Sequence, residues 1–460
     1  MLSEERKVYY KKFLMIAVPI MIQNGITNFV GMLDNVMVGR VGTDPMSGVA
    51  IVNQLLFVWN LSIFGGMSGI GIFAAQFFGK GDHDGIRYSF RLGMIAAAVL
   101  SAAGILIFTA GGSPLIVRFL HEDGGAGDPA ATLMYAEQYL AVMLPGLLPF
   151  AITQAYAGVL KSCGETTAPM RASLMAVAVN LAGNYILIYG KFGAPRLGVM
   201  GAAYATVLSR FVEMAALMVY THRRAEQYRF IRGVYRGFAV PKGLLFNYLK
   251  KGIPLLVNEF LWASSQTILV QNYSLRGLSV VAALNISQTI GNLFNVAFLA
   301  LGVAIGIVIG QELGTGKTDE AKRNAIALTW FSELLVLVTG AAMFALAGVF
   351  PLIYNTEPEI RSLAAGLIRI SAVCFPIYAF ANSCYFVLRS GGKTLVTFLF
   401  DSCFCWIFSV PAAYMLAVHT SLPILWLYLA VQLLELIKCF LGYAMMTKGV
   451  WLQDLTEYRE

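Results

Sequence analysis

Charged residues are scarce in this sequence of 460 residues. Asp, Glu, Lys and Arg make up 13% of the chain and hydrophobic residues 58%, whereas soluble domains contain about 25% charged and about 45–50% apolar residues. The mean hydropathy is +0.69. This composition excludes a soluble globular protein.

Cysteine and histidine are also sparse, with six and four residues respectively. The cysteines lie in or beside apolar runs and lack the paired loop spacing of a disulfide framework or a zinc site. The histidines lie in loops or at the ends of apolar runs, and neither HExxH nor GxSxG occurs. The segment GQELGTGKT at 310–318 has Gln311 where a phosphate-binding loop requires glycine. We therefore predict no catalytic residues and no organic cofactor, and an embedded enzyme is the weakest hypothesis.

Long apolar runs dominate what is present. The uncharged run 92–110 far exceeds the about ten alternating residues of a barrel strand, so the pattern predicts helices. We predict an all-α integral membrane protein with twelve transmembrane helices. Their approximate bounds are 12–38, 48–76, 86–110, 132–153, 165–190, 196–220, 247–272, 279–310, 322–346, 362–387, 394–418 and 422–446.

The distribution of Lys and Arg predicts the orientation. If the amino terminus is cytoplasmic, most of the 33 Lys and Arg fall in inner segments, as the positive-inside rule requires. The remainder are Arg40, Arg118, Lys191, Arg196, Arg276, Arg361 and Arg369. Both termini are therefore expected in the cytoplasm, with the protein in the plasma or inner membrane. The basic loop 221–246 could suggest nucleic acid, but its position at the middle of the bundle favours a solvated cytoplasmic linker and no nucleic-acid partner.

The two halves of the chain resemble each other. IGIFAAQFFGKG at 70–81 aligns with IGIVIGQELGTG at 305–316, and LKSCGET at 160–166 aligns with LRSGGKT at 388–394. Each half carries six predicted spans, so both insert with the same orientation. We predict two pseudo-symmetric six-helix lobes around a central cleft in a self-contained monomer. The expected divisions are 1–220 for the amino-terminal lobe, 221–246 for the linker and 247–460 for the carboxy-terminal lobe.

Ionisable residues inside spans are costly and mark candidate pathways. Asp34 follows Pro19 in the first span, Asn180 and Asn184 lie one turn apart in the fifth, and Thr206 lies in the sixth. A carboxylate, two amides and a hydroxyl suit a small cation such as Na⁺, or a carboxyl group that gains and loses a proton. Ordinary hydrogen bonding between helices is the alternative.

Other intramembrane polar groups have different expected roles. Glu259 is a candidate for binding cationic substrates, with Asn285, Gln288, Asn292 and Asn295 as polar helpers; their alternative role is packing of the eighth span. The spacings of Arg210 with Glu213 and of Glu435 with Lys438 put each pair on one helix face, which favours structural ion pairs. Asp401 lies nearer a predicted span end, where it could reach water.

The motifs together resemble one known family over essentially the whole chain. Pro19 and Asp34 with the following VGRVGT, the repeats LKSCGET and LRSGGKT, the Asn180/Asn184 pair, GAAYAT at 201–206 and VNEF at 257–260 are similar to those of the multidrug and toxic compound extrusion (MATE) family. The resemblance implies an antiporter that expels organic cations and other amphipathic compounds in exchange for Na⁺ or H⁺. It places Asp34, Asn180, Asn184 and Thr206 at the cation site of the amino lobe, and Glu259 at an acid of the Na⁺-coupled bacterial branch. That branch also carries an Asp in the tenth span, which residues 376–382 (PIYAFAN) lack.

These observations predict a secondary exporter that works by alternating access, with small amphipathic or cationic substrates and membrane lipids as its partners. A flippase for lipid-linked saccharides is the first alternative, although it would require a cationic cavity for a diphosphate. An ion channel would require a pore ring from several subunits, which the internal duplication disfavours.

Overall fold

The computed structural model describes residues 4–120, 128–354 and 356–457, without the side chains of Glu5 and Leu278. Within these residues the regular structure is entirely helical, and twelve helical segments are long and apolar enough to cross a membrane. We number them α1 Glu4–Gly39, α2 Thr43–Lys80, α3 His83–Val117, α4 Pro129–Ser162, α5 Thr167–Tyr189, α6 Val199–Arg223, α7 Lys242–Ser274, α8 Leu278–Gly314, α9 Thr318–Leu346, α10 Pro358–Ser390, α11 Thr394–His419 and α12 Ile424–Lys448. The predicted fold class is confirmed.

The helices extend beyond the apolar runs that predict them. A helix satisfies its backbone hydrogen bonds internally, so it spans lipid and continues into polar surroundings. Thus α2 runs from Thr43 to Lys80 although its apolar run covers 48–76. Local signals then end each helix: Gly190, with φ of 67°, terminates α5 in the left-handed conformation that glycine adopts without strain.

Three of the spans contain irregular turns, and in α12 a turn at Leu434 separates Ile424–Leu433 from Glu435–Lys448. In α4, the 3₁₀ turn Leu144–Gly146 includes Pro145, which lacks the N–H needed for a regular helical hydrogen bond. In α11, two π-helical turns cover Leu399–Cys403 and Cys405–Ser409. Turns of this type inside α-helices often lie at functional sites.

The chain divides into two compact units. The amino-terminal unit contains Ile22–Ala74 and Asp82–Leu245, and the carboxy-terminal unit contains Met1–Met21, Ala75–Gly81 and Phe246–Arg459. Helices α1 and α2 therefore contribute to both units. The division of α1 falls just after Pro19, the proline inside that helix.

Aromatic and polar contacts anchor the first part of α1 within the carboxy-terminal unit. The Tyr9 hydroxyl donates a hydrogen bond to Glu312 Oε1 (2.7 Å), and Asn324 Nδ2 donates to both oxygens of the same carboxylate. The Tyr10 ring stacks on Phe331 with centroids 4.3 Å apart. These contacts fix the amino-terminal part of α1 against α8 and α9.

The end of α2 crosses the end of α8 in the same unit, at the two copies of the repeated motif. A Cβ atom added to Gly79 would overlap the carbonyl oxygen of Gln311, and one added to Gly314 would overlap that of Gln76. Gln76 is fully buried, donates to the carbonyl oxygens of Ser390 (2.9 Å) and Gln453 (3.2 Å), and accepts from the Leu455 N–H (2.7 Å). The glycines permit this close approach because they have no side chain.

Within the amino-terminal unit, the basic segment after α6 is packed against α3. Arg91 donates to the carbonyl oxygens of Val234, Ala239 and Gly233, at 3.0 to 3.2 Å. Phe230, Ile231 and Val234 are buried.

A tyrosine also ties this segment to the loop between α4 and α5. The Tyr228 hydroxyl donates to Glu165 Oε2 (3.1 Å). Burial, followed by the hydrogen bond with Tyr220 and the carboxylate of Glu165, raises the pKa of Tyr228 above its ordinary value, so the phenol keeps the proton that it donates.

Candidate functional site

Asp34, Asn180, Asn184 and Thr206 meet in the amino-terminal unit. Asn184 Nδ2 donates to Asp34 Oδ1 at 2.7 Å and lies 3.2 Å from Asn180 Oδ1. Asn180 Nδ2 lies 3.1 Å from the Thr206 hydroxyl oxygen. The two asparagines are 5% and 1% exposed, and Asp34 is half-buried. The four residues thus form one connected cluster, which we call the Asp34 cluster.

Close packing of α5 on α6 brings these groups together. A Cβ at Gly183 would lie 2.8 Å from Ala205 Cβ, and one at Gly201 would lie 2.6 Å from the carbonyl carbon of Leu187. Larger residues at either glycine would force the helices apart. The small residues therefore place Thr206, next to Ala205, within hydrogen-bond distance of Asn180, three residues before Gly183.

The Asn180 amide and one unpartnered oxygen complete the cluster. With its nitrogen toward Asp34, the Asn180 amide donates to both carboxylate oxygens, at 3.0 and 3.2 Å, and its oxygen accepts from the Thr206 hydroxyl at 3.1 Å. Asn184 Oδ1 is buried and accepts no hydrogen bond. Buried acceptors of this kind require a cation, a proton or ordered water.

This set of oxygens differs from a transition-metal site. Among the residues that the structure describes, no group of three or more His, Cys, Asp or Glu side chains could hold a metal ion. The Asp34 cluster instead offers one carboxylate with amide and hydroxyl oxygens, which are hard ligands suited to alkali cations or to a proton.

Glu259 lies in the carboxy-terminal unit, half-buried on α7, where Arg389 and Asp401 are the charged groups that act on it electrostatically. Four amide side chains follow one face of α8 at helical spacing, and three of them are exposed. They are Asn285, Gln288, Asn292 and Asn295. In the described part of the chain no hydrogen bond joins Glu259 to these four side chains.

The repeat shows that Glu259 and Asp34 are not equivalent. The offset of 235 residues that aligns 70–81 with 305–316 also aligns Pro19 with Pro254, both inside their helices. At that offset Glu259 falls on Asn24, and Asp34 falls on Leu269. The carboxy-terminal unit therefore has no counterpart of the Asp34 carboxylate on α7.

The carboxy-terminal unit also contains a polar cluster that the sequence did not predict. The Lys438 ammonium lies 3.1 Å from Asp401 Oδ1 and 3.1 Å from Glu435 Oε2, while Asn258 Nδ2 donates to Asp401 Oδ2 at 3.2 Å. The spacing of Glu435 and Lys438 indicates one of these contacts. Nothing in the sequence pairs Asp401 of α11 with Lys438 of α12, and the expectation that Asp401 reaches water overlooks this partner.

Comparison with known proteins identifies the class. The sequence model of the MatE family matches residues 19–186 and 254–415, one segment in each half of the chain. The chain is 24% identical to a probable multidrug resistance protein NorM of Thermotoga maritima, covering 98% of this chain and 94% of that protein. It is 25% identical to a probable multidrug resistance protein YoeA of Bacillus subtilis, covering 90% and 89% respectively.

Solved structures share the fold. An outward-facing multidrug resistance MATE family transporter of the MOP superfamily superposes with a TM-score of 0.86 at 18% identity, over 96% of each chain. A MOP superfamily transporter from Pyrococcus furiosus superposes with a TM-score of 0.81, also at 18% identity over 96% of each chain.

Fold and family together define a multi-pass membrane transporter rather than an enzyme. The chain belongs to the MatE family. The family resemblance inferred from the motifs is thereby confirmed.

Proposed function

We propose that the protein is a cation-coupled antiporter that exports organic cations and other amphipathic compounds by alternating access, with Na⁺ or H⁺ as the coupling ion at the Asp34 cluster. The observation that carries the proposal is the meeting of the Asp34 carboxylate with the buried amides of Asn180 and Asn184 and the Thr206 hydroxyl in one cluster. The names of the curated relatives support drug-like substrates and do not favour a lipid-linked saccharide flippase.

The cluster supplies oxygen ligands for either ion. The Asp34 carboxylate, the Asn184 amide oxygen and the Thr206 hydroxyl are hard oxygens that suit Na⁺, and the carboxylate alone can take a proton. Asn184 donates to this carboxylate at 2.7 Å and so fixes its position.

Export requires that ion and substrate favour opposite states of the transporter. Each then lowers the affinity of the other by the same factor, because linkage between two binding sites is reciprocal. An ion gradient can therefore move the compound uphill without ATP. Glu259 would attract cationic substrates, and Asn285, Gln288, Asn292 and Asn295 would offer hydrogen bonds from α8.

The membrane placement completes the proposal. The distribution of Lys and Arg supports cytoplasmic termini in the plasma or inner membrane. The protein would act as a monomer in contact with membrane lipids, because its two internal halves supply both sides of a transport path.

The test is the variant Asp34→Asn, which keeps the size and hydrogen-bonding capacity of the side chain but cannot carry negative charge or be neutralised by a proton. In proteoliposomes with separately imposed Na⁺ and H⁺ gradients, we expect gradient-driven efflux of a cationic dye to be lost, with the melting temperature retained. The matched control is Glu137→Gln, a neutralised acid on an exposed face of α4, which should transport normally. Efflux by Asp34→Asn at the normal rate would refute the assignment.

A further inference from the structure

The carboxy-terminal unit contains a buried cation of its own between two carboxylates. Lys438, on α12, is 5% exposed, and its ammonium lies 3.1 Å from an oxygen of Asp401 and 3.1 Å from an oxygen of Glu435. The rings of Phe400 and Phe404 lie 5.8 and 5.7 Å from the ammonium nitrogen. The ammonium is thus enclosed by anions and aromatic faces, an environment that stabilises positive charge.

The surrounding polar groups hold Asp401 in place. Asn258 Nδ2 donates to Asp401 Oδ2 at 3.2 Å, and the Ser402 hydroxyl donates to Asn258 Oδ1 at 2.6 Å. Asp401 lies within the first π-helical turn of α11, which alters the direction of its side chain relative to a regular helix. A carboxylate, an amide and a hydroxyl therefore meet here, as they do in the Asp34 cluster, but with an ammonium added.

The internal repeat indicates that this acid and this ammonium belong together. The offset of 228 that aligns LKSCGET with LRSGGKT places Asp401 on Ser173, and the offset of 222 that aligns Glu435 with Glu213 places Lys438 on Ala216. The amino-terminal half thus keeps the glutamate and lacks both the aspartate and the lysine. Compared with the amino-terminal half, the carboxy-terminal half therefore carries one additional aspartate, Asp401, and one additional lysine, Lys438.

The ammonium offsets part of the negative charge of the group. Asp401 and Glu435 bring two negative charges, and Lys438, which contacts both, brings one positive charge. Without the ammonium, the buried Glu435 and the half-buried Asp401 would lose the cation that contacts them both, which favours uptake of another cation.

We propose that Lys438 is a tethered cation that occupies a small-cation site formed by Asp401 and Glu435, and so prevents the carboxy-terminal unit from binding Na⁺. The ammonium satisfies the same oxygens that a sodium ion would otherwise bind. The inference does not depend on which ion, if any, the Asp34 cluster takes.

The test measures ²²Na⁺ binding to the purified full-length chain at pH 8 in choline chloride, in an Asp34→Asn background that removes the carboxylate of the other cluster. We expect Asp34→Asn alone to bind no displaceable Na⁺. Adding Lys438→Met should create binding of about one Na⁺ per chain, and Na⁺ should then raise the melting temperature in proportion to the logarithm of its concentration. Binding should disappear again when Asp401→Asn is added.

Two controls make the result specific. Lys161→Met removes a half-buried lysine of the amino-terminal unit that acts electrostatically on the single acid Glu213, and it should create no Na⁺ site. Lys438→Arg keeps the positive charge and should likewise bind no Na⁺. If Lys438→Met can be recovered folded in NaCl but not in choline chloride, the proposal is supported, because Na⁺ then replaces the ammonium.

Three results would overturn the proposal. The first is a folded Lys438→Met variant that binds no Na⁺. The second is failure to recover that variant in either salt, which would show that Na⁺ cannot replace the ammonium. The third is Na⁺ binding by the Asp34→Asn variant that is lost when Asp401→Asn is added, which would show that the site accepts Na⁺ although Lys438 is present.

Discussion

Replacing Gly79 with alanine tests the crossing of α2 and α8. The new Cβ would overlap the carbonyl oxygen of Gln311 and lie 2.7 Å from its carbonyl carbon, whereas non-bonded carbon atoms meet at about 3.5–4.0 Å. The obstacle is backbone and cannot rotate away, so the helices must separate by about 1 Å.

The expected cost follows from these contacts. Forcing an extra methyl group into a packed interface costs about 1–3 kcal/mol. The separation also pulls on Gln76, three residues before Gly79, whose three hydrogen bonds join α2 to Ser390, Gln453 and Leu455. Loss of one buried hydrogen bond adds about 1 kcal/mol. We therefore expect Gly79→Ala to destabilise the carboxy-terminal unit by about 2–4 kcal/mol.

Thermal unfolding of the detergent-solubilised protein, followed by tryptophan fluorescence, measures the effect. We expect a melting temperature several degrees below that of the wild type. Gly291→Ala is the matched control, because Gly291 lies in α8 and a Cβ there would meet no atom within 4 Å. Equal melting temperatures for Gly79→Ala, Gly291→Ala and the wild type would refute the argument from close helix packing.

Two further predictions concern substrate and topology. Glu259→Gln should weaken binding of cationic substrates by about 1–3 kcal/mol, the scale of a charge-assisted contact, and leave a neutral amphipathic compound unaffected; equal losses for both compounds in a fluorescence binding assay would remove Glu259 from substrate recognition. In a cysteine-free background, Lys191→Cys should react with an impermeant maleimide only from outside the cell, and Gln227→Cys only from inside, because one helix, α6, separates them; labelling of both from one side would contradict the predicted orientation.

The spans were predictable because hydropathy alone decides which segments enter a membrane. Their ends were not, since α2 continues as a helix through polar residues to Lys80. The burial of Phe230 and Val234 in the segment after α6 was also not predicted. The many arginines of this segment indicate exposure to solvent, and they outweigh its few apolar residues in the sequence pattern.

Side-chain partners were predictable only where they follow from helix geometry. The spacing of Glu435 and Lys438 predicted their ion pair, which is confirmed. The same spacing failed for Arg210 and Glu213: the structure records no ion pair between them within the described residues, and Arg210 instead donates to the Gly146 carbonyl oxygen (3.2 Å). The pairing of Asp401 with Lys438 depends on the packing of two helices, which a single sequence does not encode in any local pattern.

For the Asp34 cluster, residue chemistry and family resemblance identified side chains that do lie together. Their role in ion coupling stays a prediction. The buried, unpartnered amide oxygen of Asn184 could come only from the structure, because it depends on the positions of individual atoms.

The crossing of α2 and α8 is reciprocal. Gly79 lies against Gln311, and Gly314 lies against Gln76, so equivalent residues of the two motif copies exchange places across the contact. Reciprocity of this kind is the mark of an isologous interface. A side chain added at either glycine would therefore push the same two helices apart, and the two points of contact would be lost together.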